Sequence, residues 1–337
     1  MRIRLGLGLC LALGTALAAQ AQTSMVFTSW GGTTQDAQKK DWAEPFIKKT
    51  GISVVQDGPT DYGKFKAMVQ SGNVSWDVVD VEGDFAQEAA KAGLLEPINL
   101  PAADAAKIDP RFLTPDAVGS FYYSFVIAYN KYKFKNAAPQ TMADLFDVKK
   151  FPGKRCFYKW SFAGVLEAAL LADGVAPDQL YPLDLDRAFK KLDTIKKDIV
   201  WWSTGAQSQQ QLASGQCPVS LMWNGRVQAL EDTGVPVAMS WDNNLTTGDM
   251  LVIPKGAPHE AAARQFIAYA TNAKAQAKFA ADTGYAPVNT GAAALMNQKA
   301  LEDLPNAHAA THIDLNMDYW AAHRDDIANR WYAWQTK

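Results

Sequence analysis

The sequence predicts an α/β protein with two lobes, each built on a mainly parallel β-sheet flanked by helices. Short apolar strands alternate with amphipathic helices along the chain, which is typical of strand–helix–strand units. Residues 76–81 form the kind of run found in parallel strands that are covered on both faces. With 337 residues, the chain is also long enough to bury two cores.

Composition and charge narrow the class of protein. Hydrophobic residues make up 48% of the chain and charged residues 20%, which indicates a globular protein and excludes a disordered one. The formal net charge is −2, from 33 basic and 35 acidic residues. We therefore expect no nucleic acid among the partners of this protein.

In the first part of the chain, each predicted strand is short and apolar and is followed by a helix. The strands are expected at 24–29, 52–56 and 76–81, and the helices at 34–50, 61–71 and 85–92. A strand-rich stretch follows at 120–129. Ligands of parallel sheets bind in loops beyond the carboxyl ends of strands, so the turns at 30–33 and 82–84 are candidate binding loops.

The same alternation continues in the second lobe, where residues 151–156 are predicted to open a strand. Further strands are expected at 200–204, 219–223, 237–241 and 249–253, and helices at 161–172, 184–197, 208–213, 258–282 and 318–335. The strand at 249–253 is expected to return to the first lobe. The last helix is rich in aromatic residues at core spacing.

The first 21 residues are typical of an export signal. Arg2 and Arg4 precede an apolar run at 5–18, and a small-x-small cleavage site follows, ending at Ala21. The apolar run is shorter than the roughly 20 residues that a membrane-spanning helix needs. We expect cleavage after Ala21 and a soluble, exported mature protein.

Export places the two remaining cysteines, Cys156 and Cys217, in an oxidising compartment. A disulfide and two separate buried thiols are both compatible with the sequence. His308 and His312 are four residues apart but lack the glutamate and the third ligand of a metalloprotease helix. We therefore interpret this pair as part of a surface helix and expect no metal and no other cofactor.

The motifs that mark common catalytic sites are absent from the sequence. It contains no G-x-S-x-G elbow, no Walker A loop, no G-x-G-x-x-G after a strand and no H-E-x-x-H. Together with export, this favours a binding protein over an enzyme. An exported enzyme that uses Glu82, Asp84 or Asp249 as acid or base is the more distant alternative.

Aromatic and acidic residues occur together at the predicted strand ends. The aromatic residues are Trp30, Trp223 and Tyr285, and the acidic ones are Glu82, Asp84 and Asp249. Aromatic rings attract a cation by about 0.5–2 kcal/mol, and a carboxylate supplies charge-assisted hydrogen bonds. This combination suits a primary ammonium group. The alternative is that the tryptophans pack in the core and that the acids cap helices, with Asp84 a good candidate cap.

Several motifs, taken in order, resemble one family of transport proteins over essentially the whole mature chain. They are Ser29-Trp30-Gly31-Gly32, Trp76-Asp77-Val78-Val79, Phe151-Pro152-Gly153-Lys154, Met222-Trp223-Asn224-Gly225-Arg226, the runs 249–254 and 284–289, and Tyr319-Trp320 with Arg330-Trp331 and Trp334. In these motifs the chain resembles the periplasmic spermidine/putrescine-binding proteins of ABC importers, which belong to extracellular solute-binding family 1.

The resemblance implies a type II periplasmic binding protein, whose two lobes are joined by a hinge and close around a ligand. Lobe 1 would comprise 22–129 plus 249–300, and lobe 2 would comprise 130–248 plus 301–337. The expected function is to bind a polyamine-like small cationic amine in the periplasm and to deliver it to an inner-membrane ABC permease. The protein is expected to act as a monomer.

Position by position, the resemblance implies that Trp30 and Trp223 wall the ligand slot and that Asp249 and Tyr285 contact the amine. Thr33 stands where polyamine binders often have an aromatic residue. Residues 161–164 lack the Asp and Glu that those proteins use for the far amine.

Arginines provide an alternative for the far end of the slot. Arg155 and Arg226 are both candidates for binding a carboxylate through their guanidinium fork. A zwitterion such as γ-aminobutyrate, or another amino acid, is therefore the alternative ligand. A more distant alternative is ferric ion bound through Tyr122 or Tyr123, although neighbouring strand residues face opposite sides and core packing explains them better.

Overall fold

The computed structural model describes residues 24–162 and 164–337, so the predicted export signal and its cleavage position lie outside the described residues. The strands of this part are β1 (Ser24–Thr28), β2 (Ser53–Asp57), β3 (Val78–Glu82), β4 (Leu95–Glu96), β5 (Ala117–Asn130), β6 (Arg155–Tyr158), β7 (Ile199–Trp202), β8 (Val219–Trp223), β9 (Val237–Pro254) and β10 (Ile313–Asp314). No helix in the described ranges is long and apolar enough to cross a membrane.

Helices flank the sheet. They are α1 (Gly32–Gln38), α2 (Glu44–Thr50), α3 (Tyr62–Ser71), α4 (Gly83–Lys91), α5 (Ala102–Ala105), α6 (Met142–Phe146), α7 (Val165–Ala172), α8 (Leu185–Asp193), α9 (Gly205–Ala213), α10 (Asn224–Asp232), α11 (Glu260–Ala270), α12 (Ala273–Thr283), α13 (Gln298–Glu302) and α14 (Met317–Gln335). A π-helical turn, Lys39–Ala43, joins α1 to α2. The single helix predicted at 258–282 is in fact two, α11 and α12.

One mixed sheet runs through the molecule in the order β2-β1-β3-β9-β5-β8-β6-β7. At one end β1 pairs in parallel with β2 and β3, and at the other β6 pairs in parallel with β7 and β8. The long strands β5 and β9 lie between these halves and pair antiparallel with each other. In the same way β9 pairs antiparallel with β3, and β5 with β8. The fold is therefore α/β, as predicted, with two parallel halves connected through β5 and β9.

The strands predicted at 237–241 and 249–253 are two ends of the single strand β9. The polar segment between them pairs with β5, from Tyr122 opposite Gly248 to Phe125 opposite Leu245. The register between β5 and β9 shifts on each side of this segment, once before Phe121 and once after Phe125. These irregularities divide the long ladder into three regular stretches.

The structure also answers two questions about the cysteine and histidine residues that the sequence left open. Cys156 on β6 and Cys217 before β8 form a disulfide, with their Cα atoms 5.6 Å apart. The expected surface helix around His308 and His312 is wrong, because the short helix Pro305–His308 ends at the first histidine. The ring of His308 stacks on Trp241 with centroids 4.0 Å apart. No group of His, Cys, Asp and Glu among the described residues could hold a metal ion.

Candidate functional site

A narrow cavity lies at the carboxyl ends of β3, β6 and β8. Its walls are formed by Trp30, Thr34, Glu82, Phe121, Tyr123, Tyr158, Trp223, Arg226, Asp249 and Tyr285. Aromatic rings make up most of this lining. The charged groups are two carboxyl groups, which we call the acid end, and one guanidinium group, which we call the arginine end.

The acid end consists of Glu82 and Asp249, which lie directly opposite each other on the antiparallel strands β3 and β9. Both side chains are almost fully buried. The Tyr62 hydroxyl donates to Glu82 Oε2 at 3.0 Å and also accepts the backbone N–H of Glu82 at 3.0 Å. Asp249 Oδ1 is buried and has no hydrogen-bond partner among the described residues.

Burial controls the protonation of the acid end. Burial and the charge of Asp84, opposed by Arg324, together raise the pKa of Glu82 to about 8. Burial also raises the pKa of Asp249 well above its ordinary value, with further increases from the charges of Asp80 and Glu82. Burial therefore favours the protonated, uncharged form of both carboxyl groups.

The arginine end is Arg226, near the start of α10. Its Nη1 donates to Thr33 Oγ1 at 2.6 Å, which connects α10 to the first turn of α1. The Nε of Arg226 is buried without a hydrogen-bond partner within the described ranges. A Cβ atom at Gly205 would lie 2.4 Å from that Nε, so this glycine allows the guanidinium group to lie where it does.

The loop after β1 depends on another glycine. Gly31 has a φ of 71°, in the left-handed region that favours glycine, and the chain turns there from the strand into α1. The turn places Trp30 and Thr34 on the cavity wall. Thr33, a ligand-binding candidate because it stands where polyamine binders often have an aromatic residue, is exposed and accepts the hydrogen bond from Arg226.

Aromatic contacts hold the remaining walls. Trp223 packs edge-on against Trp202 and Tyr158, with centroid distances of 4.9 Å and 5.4 Å. Tyr285 stacks on Phe121 at 4.9 Å with an angle of 8° between the rings. The indole N–H of Trp223 is buried and unpartnered in the part of the chain that the structure describes. The walls thus present ring faces and edges with few fixed hydrogen bonds.

Six of the nine predicted site residues line this cavity: Trp30, Glu82, Trp223, Arg226, Asp249 and Tyr285. The sequence analysis missed Thr34, Phe121, Tyr123 and Tyr158. Tyr158 is the last residue of β6 and could have been found by the same strand-end rule as Trp223. Phe121 and Tyr123 are two residues apart on β5, so both point to one face of the sheet.

Two predicted site residues lie elsewhere. Arg155 is fully buried at the start of β6, and its guanidinium group donates to the backbone carbonyls of Leu145, Gly153 and Asp147. Those bonds occupy the fork that was proposed for a ligand carboxylate, so the interpretation of Arg155 as a ligand-binding residue is wrong.

Asp84 also lies outside the cavity lining. It belongs to the first turn of α4, is fully buried and forms an ion pair with Arg324 from α14. Burial raises the pKa of Asp84, and the charge of Arg324 opposes that shift. Asp84 is thus a partner of Arg324 behind the acid end rather than a group that faces the cavity.

The tyrosines considered for iron are also separated by the structure. Tyr123 lines the cavity, whereas Tyr122 stacks on Phe112 at 5.2 Å. Burial raises the pKa of Tyr123 well above its ordinary value.

Known proteins resemble this chain over nearly its whole length. A γ-aminobutyric acid-binding protein of Pseudomonas aeruginosa is 38% identical, over 96% of this chain and 95% of that protein. The solved structure of the Atu4243-GABA receptor is 60% identical, with a TM-score of 0.86, over 93% of this chain and 98% of that one. An ABC transporter substrate-binding protein from Bradyrhizobium japonicum USDA 110 is 37% identical, with a TM-score of 0.86, over 93% and 99% of the two chains.

A polyamine-binding protein, the kind that the sequence motifs resemble, is less similar to this chain than these three proteins. A spermidine/putrescine-binding protein from Streptococcus pneumoniae is only 16% identical, with a TM-score of 0.70, over 93% of this chain and 99% of that one, so it shares the fold and no more. A family profile described as bacterial extracellular solute-binding protein matches residues 41–309. The chain therefore belongs to the bacterial extracellular solute-binding proteins, as the substrate-binding protein of an ABC transporter and not as an enzyme.

Proposed function

We propose that this protein binds γ-aminobutyrate in the cavity and delivers it to an inner-membrane ABC permease. The observation that carries the proposal is the placement of two carboxyl groups and one guanidinium group in the lining of a single narrow cavity. A ligand with an ammonium group at one end and a carboxylate at the other has a partner for each charge there. The names of the relatives that bind γ-aminobutyrate support the same ligand.

Each part of the cavity has a role in this proposal. Glu82 and Asp249 accept hydrogen bonds from the ammonium group, and charge assistance strengthens such bonds roughly twofold. The guanidinium fork of Arg226 holds the carboxylate. The rings of Trp30, Trp223 and the tyrosines cover the methylene groups between the two charges and exclude water.

A diamine fits the same cavity poorly. Its second ammonium group would lie beside Arg226, and two like charges about 4 Å apart repel each other by about 4 kcal/mol at an effective dielectric constant of about 20. Moving that ammonium group away from Arg226 would leave it buried without a partner, which costs several kcal/mol per ion. Physical chemistry therefore favours the zwitterion over putrescine or spermidine.

Delivery in this proposal depends on closure of two lobes. Lobe 1 contributes Trp30, Glu82 and Asp249, and lobe 2 contributes Trp223 and Arg226. The hydrogen bond from Arg226 to Thr33 would hold the lobes together across the cavity. The strands β5 and β9 would serve as the hinge, with the irregular register between them as the place that bends. We also propose a periplasmic monomer, with the export signal removed after Ala21.

Calorimetric titration of the mature protein, refolded to remove bound ligand, tests the proposed ligand. We expect binding of γ-aminobutyrate and no comparable binding of putrescine, spermidine or n-butylamine. Replacing Arg226 with Met removes the charge and should weaken γ-aminobutyrate binding by about 2–5 kcal/mol. Arg187 forms an ion pair on the surface of lobe 2, so Arg187→Met is the matched control and should change nothing. Tighter binding of putrescine than of γ-aminobutyrate would refute the proposal.

A further inference from the structure

The acid end of the cavity has an unusual arrangement of two carboxyl groups. Glu82 and Asp249 are direct partners in the antiparallel ladder of β3 and β9, where facing Cβ atoms lie about 4.5–5.5 Å apart. Both side chains line the same cavity, and only 5% of Glu82 and 4% of Asp249 is exposed. Two carboxylates so close together in a buried site repel each other strongly.

The protein does not fully compensate these two groups. The nearest guanidinium nitrogen of Arg324 is 4.0 Å from Glu82 Oε2, and Arg324 bonds directly to Asp84 instead. Asp249 has no ion pair, and its Oδ1 has no hydrogen-bond partner, within the residues described. An unpartnered carboxyl oxygen that is buried at a cavity wall indicates that a ligand completes the site.

The surroundings of the pair add little positive charge. The titratable and charged side chains that face it are Tyr62 on α3, Asp80 on β3, Asp84 on α4, Tyr123 on β5, Tyr158 on β6, Arg226 on α10, Tyr285 after α12 and Arg324 on α14. Two of these described residues are cations: Asp84 already binds Arg324, and Arg226 donates to Thr33 at the arginine end. With so little positive charge nearby, the two carboxyl groups are more stable in their protonated, uncharged form while no ligand is bound.

We propose that Glu82 and Asp249 determine specificity together, by exchanging a proton that they hold in the empty cavity for the ammonium group of the ligand. A carboxyl O–H loses its proton to the solvent, the resulting carboxylate accepts N–H bonds from the ammonium group, and no bond of the ligand forms or breaks. The inference rests on the proposed function, because it requires a ligand with an ammonium group. It means that affinity depends on pH in a range where the ligand's own charges stay constant.

Calorimetry in buffers with different ionisation enthalpies measures the proton that is released. With γ-aminobutyrate and the whole mature protein, we expect release of about one proton per ligand near neutral pH and at least roughly tenfold tighter binding at about pH 7.5 than at about pH 5.5. Glu82→Gln removes the like charge that raises the pKa of Asp249, so this ratio should become severalfold smaller. Glu88→Gln is the matched control and should keep the wild-type ratio, because Glu88 contacts Arg324 outside the cavity.

The possible results separate this inference from the proposed function. Binding of γ-aminobutyrate without proton release, or an unchanged ratio in Glu82→Gln, overturns the proton exchange and leaves the function intact. If γ-aminobutyrate does not bind at any pH, the proposed function fails, and the pair is then judged without ligand. For that, carbon-13 NMR of glutamate carboxyl groups follows the signal that Glu82→Gln removes. Titration of that signal near pH 8 supports the pair, and titration at an ordinary glutamate pKa of about 4.3 overturns it.

Should Glu82→Gln fail to fold by circular dichroism, the wild-type protein still decides the question. Proton release on binding of γ-aminobutyrate then supports the exchange, and its absence overturns it.

Discussion

Arg324 is expected to be one of the most sensitive positions in the chain, because it connects the C-terminal helix to the acid residues behind the cavity. It pairs with Asp84, lies 3.6 Å from Glu88 and stacks 5.0 Å above the ring of Tyr62. Only 19% of its side chain is exposed, and Asp84 is fully buried. Arg324→Met would therefore leave a buried carboxylate without its partner.

The structure allows the size of this effect to be worked out. Breaking a buried ion pair by removing one member costs about 3–5 kcal/mol. For a chain of this size, each kcal/mol lowers Tm by roughly 2 °C, so Tm should fall by roughly 6–10 °C at neutral pH. Arg330 lies on the same helix as Arg324 and forms an exposed ion pair with Asp186 of α8. Because such pairs contribute about 0–1 kcal/mol, Arg330→Met is the control.

The pH dependence distinguishes a lost charge partner from lost packing. Without Arg324, burial alone acts on Asp84 and raises its pKa further above the unfolded value of about 3.9. A group whose pKa is raised by folding destabilises the protein increasingly as pH rises through that range. Urea unfolding, followed by circular dichroism, should therefore show a larger deficit of Arg324→Met at about pH 8 than at about pH 5. An equal deficit at both pH values, or one no larger than that of Arg330→Met, would refute this reasoning.

Three further predictions concern the disulfide, the empty cavity and the arginine end. Replacing Cys156 and Cys217 with Ser should lower the free energy of unfolding by about 4 kcal/mol, because the disulfide closes a loop with a sequence separation of 61 and so limits the entropy of the unfolded chain. Dithiothreitol should lower the stability of the wild type by the same amount and leave that of the double variant unchanged. The stability of the ligand-free protein should fall as pH rises from about 5 to about 8, because folding raises the pKa of Glu82 to about 8 and that of Asp80 to about 7. Thermal unfolding measures this dependence on pH, and added γ-aminobutyrate should make it smaller. Gly205→Ala should displace Arg226, because the added methyl group would overlap the guanidinium group and such overpacking costs about 1–3 kcal/mol. In calorimetry, binding of γ-aminobutyrate should then be roughly tenfold weaker. Unchanged binding would show that Arg226 can move freely.

Three of the residues that sequence reasoning placed at the cavity lie at strand ends or just beyond them. Glu82 ends β3, Trp223 ends β8 and Trp30 follows β1. Their position depends on local sequence, because the strand boundaries can be read from the apolar runs and the carboxyl ends of parallel strands meet at one edge. Tyr158 obeys the same rule, but the sequence analysis set no end for the strand that residues 151–156 open, so the rule was not applied to it.

Arg155 shows the limit of proximity along the chain. It begins β6, whereas the cavity lies beyond Tyr158 at the other end of the same strand. Three residues of strand cover about 10 Å, so a residue close in sequence to the site is still at the wrong edge of the sheet. Its buried guanidinium group satisfies the carbonyls where α6 ends, which is a tertiary contact that no local pattern announces.

Arg324 and the middle of β9 could not be predicted for related reasons. Arg324 is 240 residues from Asp84 in the sequence, and their pairing depends on how α14 packs against α4. The segment between 241 and 249 is rich in Asn, Asp and Thr, which locally favour a turn. It forms a strand because β5 lies beside it and pairs with its backbone groups. In both cases distant parts of the chain decide the structure.

In the proposed function, the ends of the cavity, more than its walls, decide which class of ligand it accepts. Ring faces such as those of Trp223 and Tyr285 attract any organic cation, so aromatic residues alone do not separate a polyamine from a zwitterion. The proposed separation comes from Arg226, whose guanidinium charge repels a second ammonium group and attracts a carboxylate. A protein with this fold that replaced Arg226 by an acidic residue should therefore gain affinity for diamines. Putrescine binding to Arg226→Glu, compared with the wild type and with Arg187→Glu, measures that gain, and its absence would mean that the walls also select the ligand.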